Sequence, residues 1–477
     1  MDPRDVEIAE LKQQVADLLL VVREQAERID EQSARISQLE ARLKSDSSTS
    51  SKPPSSDGLS RRPARPRERG TRSPGKQPGS DGTWLMRVAD PDEVVEHEPH
   101  SCGSCGESLL GAPLVQTESR QVADLPPVRL HWVEHRSRRR RCSCGHVTAG
   151  MFPEGVTAPA QYGPGLRAAA AYLCSYQHVP YERARQTLRD LLGADVSTGW
   201  LADSVARLSD AVIPSVERIA DLIADAPVAH FDETGARVDG RLWWVHTAST
   251  DALTHLDLHD RRGEAAMRDI GILPRFEGVA VHDGLGAYRR FASCEHALCG
   301  AHHLRELDGI AEHFNQPWAH EMAELLREIK IYTDDARATG KTELDAHDLR
   351  RFEHFYDELV CEGWLANPPP PRTGRRGRPG LGPIGALINR LDRDREPALR
   401  FAHDLRVPFD NNQAERDIRP VKVKQKITGG WRTVPGAMRA LDLRSYIDTA
   451  RKQGVSIIAA LRAAAEGCPW QPTASAT

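Results

Sequence analysis

After Pro227 the spacing of apolar residues stops being helical and becomes that of extended chain. "VAHFDETG" reads as a short strand ending in Asp232, and "RLWWVHTAST" and "LTHLDLHD" alternate in the manner of half-buried strands. A helical stretch, "RGEAAMRDIGIL", follows. "FEGVAVHDGLGAY" is then an apolar strand that stops at Asp283. Strand, strand, strand, helix, strand is a three-stranded meander followed by a crossover, a topology in which the first and fourth strands can lie side by side. Asp232 and Asp283 would then sit at adjoining strand ends, where they repel each other unless a cation lies between them. Mg²⁺ suits the position, because it prefers one or two carboxylates plus waters and phosphate oxygens to a full protein cage. Two such ions roughly 3.5–4 Å apart serve the attacking and leaving oxygens of an in-line phosphoryl displacement.

A site of this kind takes a third carboxylate from elsewhere, and "VPFDNNQAERDIRPVKVKQK" offers Glu415. Two readings of Glu415 stand open. Asn412 followed three residues later by Glu415 has the spacing of a capping box; alternatively Glu415 is a metal ligand, with Asp410 or Asp417 as substitutes. The bases Arg416, Arg419, Lys422, Lys424 and Lys426 that follow are candidates to face an anionic polymer. The histidines beside the first two acids, His230 and His282, are read as alternating with them and so as facing away. Cys294 and His296 are read as strand packing. "PPPPRTGRRGRPG" is a basic breaker, and Gly429, Gly430, Trp431 and Arg432 form a turn suited to approach a phosphate backbone.

The N-terminal part is organised differently. Ile8, Leu11, Val15, Leu18, Val22, Gln25, Ile29, Gln32, Ile36, Leu39 and Leu43 alternate steps of three and four. Mostly β-branched residues at a and leucine at d favour a parallel two-stranded coiled coil. Residues 45–89 form a basic, Ser- and Pro-rich linker that cannot bury enough apolar surface to fold alone. Residues 61–76 within it hold seven bases against one acid, although the net charge of the chain is only −4. Over residues 90–155, Cys102-x-x-Cys105 and Cys142-x-Cys144 resemble the paired turns of a zinc ribbon, with structural Zn²⁺ held by the four thiolates and His146 as a substitute ligand. The adjacent "RSRRRRC", with Arg138, Arg139 and Arg140, is a further candidate phosphate contact. Residues 156–226 read as helices: "YERARQTLRDLLG" ends on Gly193 and Ser197 caps "TGWLADSVARLSDAV", the pattern of a helix-turn-helix. The first residues lack the basic and apolar parts of a signal peptide, and no apolar run approaches the roughly 18 residues of a membrane span. The expected setting is the cytoplasm, in association with the nucleoid.

Taken in order, the coiled coil, "SSKPPSSDG", the cysteine pairs, "HFDETG", "VHDGLGAY", "CGAHHLREL" and "DNNQAERDIRP" resemble the insertion sequence 66 family of bacterial transposases over nearly the whole chain. The resemblance implies a DDE transposase: a multidomain α+β protein with a ribonuclease H-like core at residues 227–312, a helical insertion and linker at 313–400, and core completion at 401–477. It implies catalytic roles for Asp232, Asp283 and Glu415 with Mg²⁺ or Mn²⁺. Cys299, His302 and Arg305 are similar to a C-x-x-H signature and are read as supporting the site. The implied partners are the terminal inverted repeats of the element, target DNA, a second copy through the coiled coil, and accessory proteins of the same element. Two rivals remain: a DNA-binding regulator descended from such an enzyme, and a nuclease that cuts without joining. The unbroken heptad makes its own prediction, that a peptide of residues 1–44 sediments as a dimer at tens of micromolar, an order-of-magnitude working range. A monomer there would remove the coiled coil.

Overall fold

The structure is a computed structural model that describes residues 85–125, 128–370 and 381–474, together with Arg23, Gln25, Arg28, Ile29 and Gln32. Those five are helical and exposed. The rest of the heptad and of the linker up to residue 84 lies outside the described residues, as does 371–380 of the Pro/Arg stretch.

Residues 85–163 carry little regular structure. Their one two-stranded sheet pairs β1 (Arg139–Arg141) with β2 (Val147–Ala149), antiparallel and exposed along both strands, as three consecutive arginines require. Helix α1 (Pro164–Ala171) runs into a π-helical turn over Tyr172–Tyr176, and α2 (Tyr181–Leu192) follows. Gly193 ends α2 in the left-handed conformation, φ 67°, where an absent Cβ removes the steric cost. Ser197 Oγ then accepts from the N–H of Trp200 at 3.0 Å and starts α3 (Thr198–Ala224). Both caps are where the sequence places them. The helix itself is longer than expected, passing Pro214, because Val205, Leu208, Val212, Val216, Ile219 and Ile223 continue one buried stripe to its end.

The central sheet has the order β5-β4-β3-β6-β7. Its strands are β3 (Val228–Val238), β4 (Arg241–Ser249), β5 (Thr254–His259), β6 (Val279–His282) and β7 (Glu295–Leu298). The first three form the meander, antiparallel, and β6 and β7 add in parallel after the crossover through α4 (Glu264–Ile270). Asp239 and Gly240, at φ 49° and 71°, make the two-residue turn between β3 and β4, the left-handed pair that matches strand twist in a tight hairpin. One expectation changes: β3 does not end at Asp232. It stays paired with β4 as far as Val238, whereas its pairing with β6 stops at His230. Asp232 is therefore the second residue beyond the parallel ladder, beside the point where the chain leaves β6.

Side-chain alternation divides the sheet between two cores. Val279 and Val281 enter one, with Leu307, Trp318 and Met322; Ala229, Phe231 and Ala280 enter the other, with Ile223, Met267, Ile272 and Tyr288. The first core belongs largely to the insertion, which comprises α5 (Gly300–Phe314), α6 (Pro317–Ala338), α7 (Ala346–Ala366), α8 (Gly382–Arg393) and α9 (Arg395–His403). It returns to its starting point: Gly300 N–H donates to the carbonyl of Phe409 at 2.8 Å. A Cβ at residue 300 would stand 2.3 Å from the Phe409 ring, so this approach needs glycine.

The chain then enters α10 (Asn412–Thr428), α11 (Val434–Lys452) and α12 (Ile457–Ala465). Ile418 and Val421 of α10 pack with Ala236, Val238 and Val245 of the sheet. Gly430 and Trp431, expected as a phosphate-facing turn, instead seat on the free side of β3: Trp431 N–H donates to Arg237 O at 2.8 Å and Asp239 N–H to Trp431 O at 2.9 Å. A buried ion pair fastens α10 in place. Lys452 Nζ donates to Asp417 Oδ2 at 2.6 Å and to the carbonyls of Thr250 and Leu253 at 2.7 and 2.8 Å, which uses all three of its protons. Replacing Lys452 by Met leaves Asp417 buried and unpaired, so urea unfolding should show a loss of about 3–5 kcal/mol. Adding Asp417→Asn to that variant should return part of it.

Candidate active site

Helix α10 begins at Asn412, whose N–H is taken by Asp410 Oδ1 at 3.0 Å. The capping box expected between Asn412 and Glu415 therefore does not form, because Asn412 is already inside the helix and its N–H already has a partner. Asp417 is held by Lys452 and by Gln413 Nε2 at 2.9 Å. Among the described residues the Glu415 carboxylate makes no hydrogen bond; His302 Nδ1 lies 3.9 Å from its Oε1. Of the three acids weighed in this stretch, Glu415 is the one whose carboxylate is uncommitted.

Asp232 lies half-buried on the side of β3 that α10 covers. Burial, followed by the negative charges of Glu233, Asp283 and Glu415, raises its pKa well above the usual carboxylate range. Carboxylates from two distant stretches, Asp283 and Glu415, thus act on Asp232, although among the described residues the donor atoms of these three do not all lie within 4.8 Å of one another. Part of that charge is compensated. Glu233, its side chain fully buried, accepts from Arg262 Nε at 2.7 Å and from the Tyr288 hydroxyl at 2.7 Å. Arg262 extends a second nitrogen to within 3.7 Å of Asp283 Oδ2, with its guanidinium 5.0 Å from the centre of the Trp244 ring. Among the described residues no lysine or arginine pairs with Asp232 or Glu415. Lys422, close enough to Asp232 to feel its charge, donates instead to the carbonyl of Gly235 at 2.8 Å.

Asn411, buried at the base of α10, joins three elements. Its Nδ2 donates to Phe231 O at 2.8 Å, its backbone N–H donates to Cys299 Sγ at 3.2 Å, and its Oδ1 lies 2.9 Å from His230 Nδ1. Because the amide nitrogen is used on Phe231, Oδ1 must be the acceptor and His230 Nδ1 carries the proton. His230 therefore does not face away: two positions before Asp232 on one strand, it shares its face. His282 does lie on the other side, stacked on Tyr288 with ring centroids 4.3 Å apart. Its Nδ1 accepts from Gly284 N–H at 3.0 Å, so Nε2 donates to His296 Nδ1 at 3.1 Å. Cys299 caps the start of α5, and burial pushes its thiol up to about 12. Its sulfur, His302 and Glu415 offer donor atoms that all lie within 4.8 Å of one another.

The family model described as "Transposase IS66 family" matches residues 159–439, more than half of the chain, a span that includes Asp232, Asp283, Cys299, His302 and Glu415. The chain belongs to the IS66 transposase family. A second model, a family of unknown function (DUF6444), matches residues 1–85. A protein of Sinorhizobium fredii (strain NBRC 101917 / NGR234), named only as uncharacterized protein y4hP, is 24% identical over 404 residues, or 76% of this chain and 69% of its own.

The cysteine pairs of this IS66 transposase lie between the two matched regions. Each forms its own turn, with Gly106 N–H on Cys102 O and Gly145 N–H on Cys142 O, both at 2.9 Å. Within the turns, the Cys105 amide lowers the pKa of Cys102 and the Cys144 amide that of Cys142, as suits a thiolate ligand. The structure does not bring the two turns together: among the described residues no three of Cys102, Cys105, Cys142, Cys144 and His146 stand within ligand reach. Of the candidate DNA contacts, Arg138, Arg139, Arg140, Arg416 and Arg419 are exposed. Lys422 and Lys424 are turned inward, the latter 4.8 Å over the Trp431 ring and 2.9 Å from Thr428 Oγ1. Arg305 is half-buried one turn from His302, with no ion pair among the described residues.

Sequence reasoning missed Glu233, Arg262, Tyr288 and Asn411. Glu233 had a signal, a second acid inside an apolar strand; Arg262, in the loop after β5, had none. Replacing Asn411 by Ala leaves Phe231 O and His230 without their partner, and should destabilise the fold by roughly 1–3 kcal/mol. Urea titration of the purified protein checks this, and an unchanged midpoint would show that the Asn411 contacts contribute little.

Proposed function

We propose that this IS66-family transposase cuts DNA at the terminal inverted repeats of its element and joins the ends to target DNA, with Asp232, Asp283 and Glu415 as ligands for Mg²⁺ or Mn²⁺. The observation behind the reading is electrostatic: the negative charges of Asp283 and Glu415, from separate stretches, act on a half-buried Asp232, and neither Asp232 nor Glu415 has a lysine or arginine counter-ion among the described residues. Such an arrangement is costly for a folded chain unless a cation belongs there. All-oxygen donors with one half-exposed member, Glu415, suit a hard divalent ion that keeps water and phosphate in its shell. When bound, divalent ions would lower the pKa of the attacking hydroxyl or water and stabilise the leaving oxygen.

The remaining tasks fall to the chain. Arg262 draws Asp283 toward Glu233 and keeps it from swinging out; Asn411 fixes the base of α10, and so the reach of Glu415. Arg305, Arg416 and Arg419, none of them in an ion pair among the described residues, would hold phosphates, and the exposed arginines of β1 extend the contact without reading sequence. The two cysteine turns would share a structural Zn²⁺ by closing on each other, and the coiled coil would pair two copies across two ends.

The test is divalent-metal-dependent cleavage of a DNA end carrying the terminal repeat, followed by transfer to a second duplex. Asp232→Asn, Asp283→Asn and Glu415→Gln should each lower cleavage on the order of a thousandfold, about 4 kcal/mol, while DNA affinity holds. Double variants should be no worse than single ones, as for residues acting as a unit. Near-normal cleavage by Glu415→Gln sinks its assignment. Cleavage without joined products favours the nuclease reading, and binding without cleavage by the unaltered protein favours a regulator.

A further inference from the structure

Glu415 stands between two donor sets of different chemistry. Its charge acts on Asp232, and its carboxylate lies beside the sulfur of Cys299 and the imidazole of His302. We infer that Cys299, His302 and Glu415 form a site for a thiophilic divalent cation of the Zn²⁺ class, whose occupation withdraws Glu415 from the other two carboxylates.

Three observations point to it. First, the three donor atoms lie within 4.8 Å of one another, and His302 Nδ1 is 3.9 Å from Glu415 Oε1. Ligand atoms around a tetrahedral Zn²⁺ stand roughly 3.5 Å apart, given metal–ligand bonds of about 2.0–2.3 Å. A small side-chain adjustment therefore closes the site. Second, His302 Nδ1 is a buried nitrogen with no hydrogen-bond partner, which is costly to keep unless something occupies the space in front of it. Third, Cys299 sits at the start of α5 and receives the Asn411 N–H on its sulfur, so its direction is fixed from both sides. Hydrogen-bonding of a ligand atom by the surrounding backbone is how metal sites hold their donors in place.

Sulfur and nitrogen donors make this a poor site for Mg²⁺ and a good one for Zn²⁺. Three protein ligands leave the fourth position to water. Glu415 is half-exposed, long enough to turn to either side and held by no other contact among the described residues. As a terminal ligand turned toward the sulfur and imidazole, it leaves the other donor set one carboxylate short. Zn²⁺ at the soft site then acts as a brake on whatever the three carboxylates do with Mg²⁺ or Mn²⁺; this second half rests on the proposed function, whereas the site itself does not.

The two halves separate experimentally. Full-length protein is equilibrated with Zn²⁺ and its metal content measured, the unaltered chain beside Cys299→Ser and His302→Asn. Each variant should carry one equivalent less, and Co²⁺-loaded Cys299→Ser should lose part of the sulfur-to-metal charge-transfer absorption. Equal metal content in all three proteins overturns the site. His302→Asn changes a partly exposed side chain, so it decides the matter even if Cys299→Ser does not fold. For the brake, Mn²⁺ bound to the full-length chain is followed by paramagnetic resonance. Zn²⁺ should release Mn²⁺ from the unaltered protein and not from His302→Asn. Mn²⁺ retained by the unaltered protein overturns the brake while the zinc count stands. Failure to bind Mn²⁺ at all overturns the carboxylate reading, and the brake with it, without touching the zinc count.

Discussion

The main-chain bond from Gly300 to the carbonyl of Phe409 joins the two ends of the helical insertion, and the position of Glu415 depends on it. For a flexible loop of that length, bringing the ends together would cost about 4 kcal/mol in chain entropy. The insertion meets this cost with a core of its own, in which Trp318, Met322, Phe352 and Tyr356 are buried. Two residues past the junction, Asn411 reaches back to β3, and within one further turn of helix the chain arrives at Glu415. A core built from five helices thus ends in the placement of one carboxylate.

That carboxylate arrives in a region already crowded with negative charge. The chain compensates unevenly. Asp417 is neutralised by Lys452, and Glu233 by Arg262 and a tyrosine hydroxyl, so those acids act as structure. Among the described residues Asp232 and Glu415 are left without such partners, and Asp283 has the distant end of Arg262 and the N–H of Leu285. Compensation and burial divide these acids in the same way, since Glu233 and Asp417 are buried and paired, whereas Asp232, Asp283 and Glu415 are each only half-buried.

The same logic extends to the other side of Glu415. Asn411 ties His230 and Phe231 of the sheet to Cys299 of the insertion, its side chain on the strand that carries Asp232 and its backbone N–H on the cysteine sulfur. A metal bound on either side of Glu415 would act on the same joint.

The sequence by itself determined the local structure and the identity of most groups that matter. Period-two alternation announced the five-stranded region from Pro227 onward, Gly193 and Ser197 marked the ends of two helices, and the motifs around Asp232, Asp283 and Glu415 named the acids. These are properties of neighbouring residues, and a linear reading captures them. Where β3 ends was not among them, because the strand is extended past Asp232 by pairing with β4, and pairing depends on the partner. Nor was the facing of His230, which the alternation rule supports once it is counted from Asp232. The choice among Asp410, Glu415 and Asp417 was likewise open, since all three are acids near one helix start. Only the tertiary structure separated them, because Lys452, Asn412 and His302 reach these positions from different distances along the chain. Charge compensation is a contact between residues remote in sequence, and such contacts exist only after the chain has folded.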